Sequence, residues 1–328
     1  MKRKYYKYLV YYLLFFAAGV LSFYIFSSNV KLYSYSYAHL NEVDPGDSVL
    51  VIALNRKAFN ARLTNPKTTV EIADSALKIA KQIDYLPGVA EAYRVTGVGF
   101  SYLENNSLST KNYIDALQYF TKLKDHKKIA RTYSNIGSLY KYTDPDKAML
   151  YFNTALKIAR QINDEELIGG IYFNIALAYF KKLEYNKSLS NFDRSNKIFM
   201  KLKDTVSMVI YLQNTGRVYN RLKQNDMAKS RLVKAIYAAK DLKLNTTISS
   251  CYLSLAYIYL EQSEFKLADM AISEGLKYSR GMKNKIMNND FLRLTYELEL
   301  KKKNYKKALK YLSLVYHNDS LLLNENLS

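Results

Sequence analysis

The sequence predicts an all-α protein, an α-solenoid of about seven helical hairpins with a period of about 40 residues, preceded by one transmembrane helix. Three observations predict it. A small residue recurs in a fixed setting, at Gly97, Gly137, Ala176, Gly216 and Ala256, with intervals of 40, 39, 40 and 40 residues. The apolar residues around it fall at spacings of three, four and seven, which lines them up on one face of a helix. Ahead of the repeats, residues 8–30 contain no charged side chain. Composition agrees: hydrophobic residues make up 49% of the 328, enough for a sizeable core, and only 11 Gly and 4 Pro argue against a turn-rich all-β chain.

Taken in order, residues 1–7, "MKRKYYK", form a basic flank. A helix over residues 8–30 would span roughly 34 Å, enough to cross the hydrocarbon core of a bilayer. Tyr5, Tyr6 and Tyr8 lie at one end and Tyr24 near the other, as interfacial rings do. The basic cluster before the span predicts a cytoplasmic N-terminus and a retained signal anchor, with the repeats outside the cytoplasm (periplasmic in a Gram-negative source). A cleaved signal peptide competes, since "FAAGV" offers Ala17 and Gly19 at small-x-small spacing, but the apolar run continues to Phe26. Residues 31–46 read as a linker ending in the turn-forming "DPG".

Residues 47–317 read as the repeat domain and 318–328 as a C-terminal tail. Three residues after each small residue stands an aromatic, Phe100, Tyr140, Tyr179, Tyr219 or Tyr259. A second small residue recurs at Ala148, Ser188, Ala228, Ala268 and Ala308, with Phe152, Phe192, Leu232, Ile272 or Leu312 four further on. Each unit therefore contains two amphipathic helices that cross at short range, and neither buries its apolar stripe without stacked neighbours. The turn-like segments "YTDPDK", "KLEYNK", "LKQND" and "QSEF" separate them, and Asp144 before Pro145 is placed to cap a helix. "NNSLSTK", residues 105–111, reads as an insertion between the helices of the second hairpin. Lone Cys251 reads as a small core residue.

These residues resemble the tetratricopeptide repeat family. "YSNIGSLY" and "AMLYFNTA" match its large-x-x-Leu-Gly-x-x-Tyr and Ala-x-x-x-Phe-x-x-Ala signatures, and the match covers roughly residues 85–316, with a degenerate copy before it. The period departs from the family's usual 34. The spacing between the two small residues is 11 or 12, so the extra residues are expected in a longer second helix. The whole also resembles the extracytoplasmic sensor part of bacterial regulators that carry such repeats.

No phosphate loop, nucleophile elbow or zinc-ligand spacing occurs, and His39, His126 and His317 are scattered. The sequence reads as a non-catalytic protein without cofactor or metal. The resemblance implies a concave groove lined by first helices that receives a peptide or protein partner. Counting along those helices, Asn135, Asn174 and Asn214 occupy one register in three consecutive copies. An asparagine amide both donates and accepts, which suits an extended peptide backbone. Arg131, Ser138, Tyr142, Lys181, Arg217, Arg221 and Tyr257 fall on the same stripe, giving a basic centre suited to an acidic segment or a terminal carboxylate. The bland alternative is that these amides satisfy neighbouring helix ends and the cations coat solvated faces. A net charge of +20 leaves two further readings open: a cytoplasm-facing or nucleic-acid-associated protein using its positive field, and a structural assembly factor of a membrane complex.

Overall fold

The computed structural model describes residues 45–281 and 285–327, all of whose regular structure is helical. The described residues fall into two compact units that divide after Leu123. The first contains α1 (Pro45–Ala61), α2 (Pro66–Gln82), α3 (Leu86–Tyr102) and α4 (Asn106–Lys122). The second contains α5 (His126–Tyr140), α6 (Pro145–Gln161), α7 (Glu165–Lys181), α8 (Tyr185–Lys201), α9 (Thr205–Arg221) and α10 (Asn225–Asp241). It continues with α11 (Asn245–Glu261), α12 (Phe265–Gly281), α13 (Lys285–Lys301) and α14 (Tyr305–Leu327). Consecutive helices pair as seven hairpins among the described residues.

The expected membrane segment, 8–30, lies outside the described residues. The single-pass, extracytoplasmic placement built on it is corrected: no helix among the described residues is long and apolar enough to cross a membrane. Three smaller expectations also change. Both helices of the hairpin α7–α8 have 17 residues, so the extra length of the repeat is not confined to the second helix. The stretch 105–111 is no insertion, because Asn105 caps α4 and Asn106 opens it. The helix α14 runs through the stretch read as tail, to Leu327.

Local chemistry explains why the helices begin and end where they do. Side chains of Asp125, Asp144, Asp164 and Asp204 accept the backbone N–H of Lys128, Lys147, Leu167 and Ser207, satisfying donors that the first turn leaves orphaned. Most helices stop at one left-handed residue, such as Asn163, Leu183, Lys203 or Lys223. After α8, the Asp204 N–H reaches back to the Phe199 carbonyl at 2.9 Å, closing a Schellman-type turn around Lys203. Turns of this length force successive helices to lie antiparallel and in contact.

Packing follows the repeat. Gly137 and Gly216 are buried. A Cβ at Gly137 would lie 2.6 Å from the Phe152 ring, and one at Gly216 would lie 2.8 Å from Leu232. The small residue of each first helix thus admits the large residue four positions after the second small one, and Phe152, Phe192 and Leu232 are fully buried. Where serine replaces alanine at that second position, its hydroxyl donates to the crossing helix. Ser188 reaches the Ala176 carbonyl at 2.8 Å, and Ser109 reaches that of Gly97 at 2.7 Å. Cys251 is buried and unpaired within the core around Leu255 and Ile258, and burial pushes its thiol pKa up to about 12.

Candidate functional site

In the second unit the first helices of successive hairpins are α5, α7, α9, α11 and α13. Contacts join α5 to α7, α9 to α11 and α11 to α13. Side-chain hydrogen bonds reinforce the row: the Asn174 amide donates to Ser134 Oγ at a long 3.5 Å, and Gln213 donates to Ser250 Oγ at 2.8 Å. The asparagine register thus passes directly from α5 to α7, and Arg217 of α9 lies over the Phe180 ring of α7.

Its three members differ in how they are satisfied. Asn214 is buried, donates to the Ile210 carbonyl at 2.8 Å and accepts from Arg217 at 3.4 Å. Among the described residues Asn174 holds only the long contact to Ser134 as donor. The Asn135 amide nitrogen is buried and finds no hydrogen-bond partner among the described residues. A desolvated donor without an acceptor costs roughly 1–3 kcal/mol. The amide row is thus self-satisfied at α9 and unsatisfied at α5.

The cations surround this row unevenly. Arg217, one turn from Asn214, is exposed and lies over the Phe180 ring at 5.5 Å. Its charge reaches two neighbours: it partly offsets the burial that raises the Tyr142 phenol pKa, and it does the same at Cys251. Lys181 and Arg221 are exposed at the helix ends, and Arg131, half-buried, helps to lower the pKa of Asp164. Burial lowers the ammonium pKa of Lys141 beside them. Ser138 turns its hydroxyl back onto the Ser134 carbonyl at 3.0 Å, which removes its donor from the face.

Tyr257 marks a change of sign that the sequence stripe missed. Burial, then Glu297 and Asp290, raise its phenol pKa, while Arg293 lowers it. Glu297 stands one position after Tyr296, the register Arg217 holds in α9, so the same count along the helices would have found it. Burial also raises the pKa of Asp290, with Arg293 opposing and Asp319 reinforcing. The face is basic and amide-lined across α5, α7 and α9, and acidic at α13. Among the described residues no group of three or more His, Cys, Asp or Glu side chains is placed to hold a metal ion.

No family model matches the sequence. The chain is 30% identical over 126 residues to the clustered mitochondria protein homolog of Candida albicans, a stretch covering 35% of this chain and only 9% of that much longer protein. Solved structures match more fully. The Rap regulator of conjugation of plasmid pLS20, in complex with the Phr* peptide, is similar with a TM-score of 0.65 and 17% identity, over 88% of this chain and 80% of that one. NprR in complex with its cognate peptide NprX gives 0.63 and 16%, over 87% and 81%. Aspartyl phosphate phosphatase F from Bacillus subtilis gives 0.59 and 16%, over 76% and 75%, so the fold is not confined to proteins without a catalytic name. The fold is a tetratricopeptide-like helical repeat.

Proposed function

We propose that the protein is a non-catalytic scaffold or sensor that binds a peptide or protein segment on the first-helix face of its second unit, across α5, α7 and α9. The observation that carries this reading is the shared register of Asn135, Asn174 and Asn214, in which the partly exposed Asn174 donates only across a long 3.5 Å to Ser134, with the cations Arg131 and Arg217 on the same stripe. A carbonyl-bearing chain with an acidic residue or a terminal carboxylate meets both needs. The peptide-bound forms of the similar Rap and NprR proteins support it as precedents for the fold.

The test uses a soluble library of six-residue peptides of mixed composition, incubated with the full chain and read by affinity selection and mass spectrometry. Enrichment of acidic or free-carboxylate peptides by the wild type, lost in the Asn174→Ala/Asn214→Ala double variant, is the expected result. Equal enrichment by both proteins contradicts the assignment of the site. Tight binding of a mixed-sequence oligonucleotide that weakens steeply with salt, with no peptide enriched, would favour the nucleic-acid reading instead.

A further inference from the structure

Gly170, in the second turn of α7, has no packing reason to be glycine. A helical glycine is disfavoured relative to alanine because it fixes the most flexible backbone. Four other glycines of the second unit are explained by close neighbours. A Cβ would lie 2.6 Å from Phe152 at Gly137, 3.2 Å from Ile198 at Gly169, 2.8 Å from Leu232 at Gly216 and 2.2 Å from Phe291 at Gly275. At Gly170 a Cβ would meet nothing within 4 Å. The two adjacent glycines of α7 therefore separate cleanly. Gly169 faces α8 and accepts the Ser195 hydroxyl at 2.8 Å, whereas Gly170 faces open space.

The direction of that space follows from the register. Six residues before the small position stand Arg131 in α5, Gly170 in α7, Ile210 in α9 and Ser250 in α11, each partly exposed. Asn174 lies four residues after Gly170, one turn along the same stripe. The gap thus opens on the first-helix face, between Arg131 and Ile210, immediately beside the amide row.

We propose that the ligand chain crosses α7 at Gly170 in extended form, its backbone packed against the bare helix backbone there, with Asn174 holding a ligand peptide group and Arg131 taking an anionic side chain or carboxylate next to it. This rests on the peptide-binding reading above and adds to it a path and a contact residue. Gly170 is left without a side chain because a methyl group would hold the ligand away from Asn174.

The experiment measures thermal stability and, by calorimetry, affinity for the peptide that the wild type enriches from the six-residue library, for Gly170→Ala and Gly170→Phe. Alanine fills open space and improves helix propensity, so its midpoint should rise by roughly 2–4 °C, while affinity falls at least about tenfold. Phenylalanine should leave the chain folded and abolish binding. Affinity within about twofold of wild type for Gly170→Ala, or for a folded Gly170→Phe, overturns the crossing at α7 and leaves the peptide reading standing. A lowered midpoint for Gly170→Ala overturns it too, since the position would then be packed. A wild type that enriches no peptide contradicts the peptide reading and the crossing together.

Discussion

The helix α3 in the first unit and the helices α5, α7 and α9 in the second share one framework and differ in what they offer. In α3 the small residue Gly97 is buried, and a Cβ there would lie 2.7 Å from Tyr113, just as Gly137 admits Phe152. Two residues before Gly97, however, stands Val95, fully buried, where the second unit has Asn135, Asn174 and Asn214. The nearby cation, Arg94, is also buried, and its pKa is raised because the charge of Glu91, 2.6 Å away, outweighs the cost of burial. In α3 this face is neutralised, whereas α5, α7 and α9 keep amides and cations on it. The small residues are therefore evidence of architecture alone, and function is written at the variable positions between them.

That contrast can be broken or sharpened in order of effect. If the framework is common, truncating the large residue that fills the space beside each glycine should cost the same in both units. Phe152→Ala and Tyr113→Ala should each lose ~3–5 kcal/mol in denaturant unfolding. A loss under about 1 kcal/mol in either would separate the two units' cores. Next, Val95→Asn places an amide in an apolar site and should cost ~1–3 kcal/mol without creating peptide binding in the first unit. The reciprocal change, Asn174→Ala with Asn214→Ala, should leave unfolding within about 1 kcal/mol of wild type, yet weaken the selected peptide at least about tenfold in calorimetry.

The smallest effect concerns Asp164, which caps α7 and pairs with Lys127 at 2.7 Å. Burial pushes its carboxyl pKa up, but the Lys127 ammonium and the Leu167 N–H outweigh that and hold it below the ordinary 3.8. A depressed carboxylate stabilises the fold above the unfolded-state value and loses that contribution as pH falls through the folded one. Asp164→Asn should therefore be less stable at pH 7 by ~1 kcal/mol or less, with the gap closing below roughly pH 4. No gap at pH 7 would assign the role to the cap's hydrogen bond alone, since the asparagine oxygen keeps that acceptor.

The hairpins were legible because Gly137, Ala148 and Phe152 answer one steric problem that repeats every turn of the fold. The helix lengths were less so. Spacing between small residues fixes where two helices cross but not how far each extends, so lengthening of both looked like lengthening of the second. Asn105 could equally start a loop or cap a helix, and only its bond to Leu108 N–H decides. Among the site residues, the shared register of the asparagines was visible in sequence, but the inward turn of Ser138 and the unsatisfied amide of Asn135 depend on neighbours that no spacing reveals. Gly170 was hidden for the same reason, since its meaning is an empty volume. The membrane placement was read from residues 1–30, which lie outside the described residues.

The central claim is that ligand binding belongs to the first-helix face of the second unit. Hydrogen–deuterium exchange of the full chain, with and without the peptide selected from the library, tests it most directly. The account predicts slowed exchange in residues 126–140, 165–181 and 205–221, and none in 86–102. Protection of 86–102, or of the second helices 145–161 and 185–201 in place of the first, would contradict it.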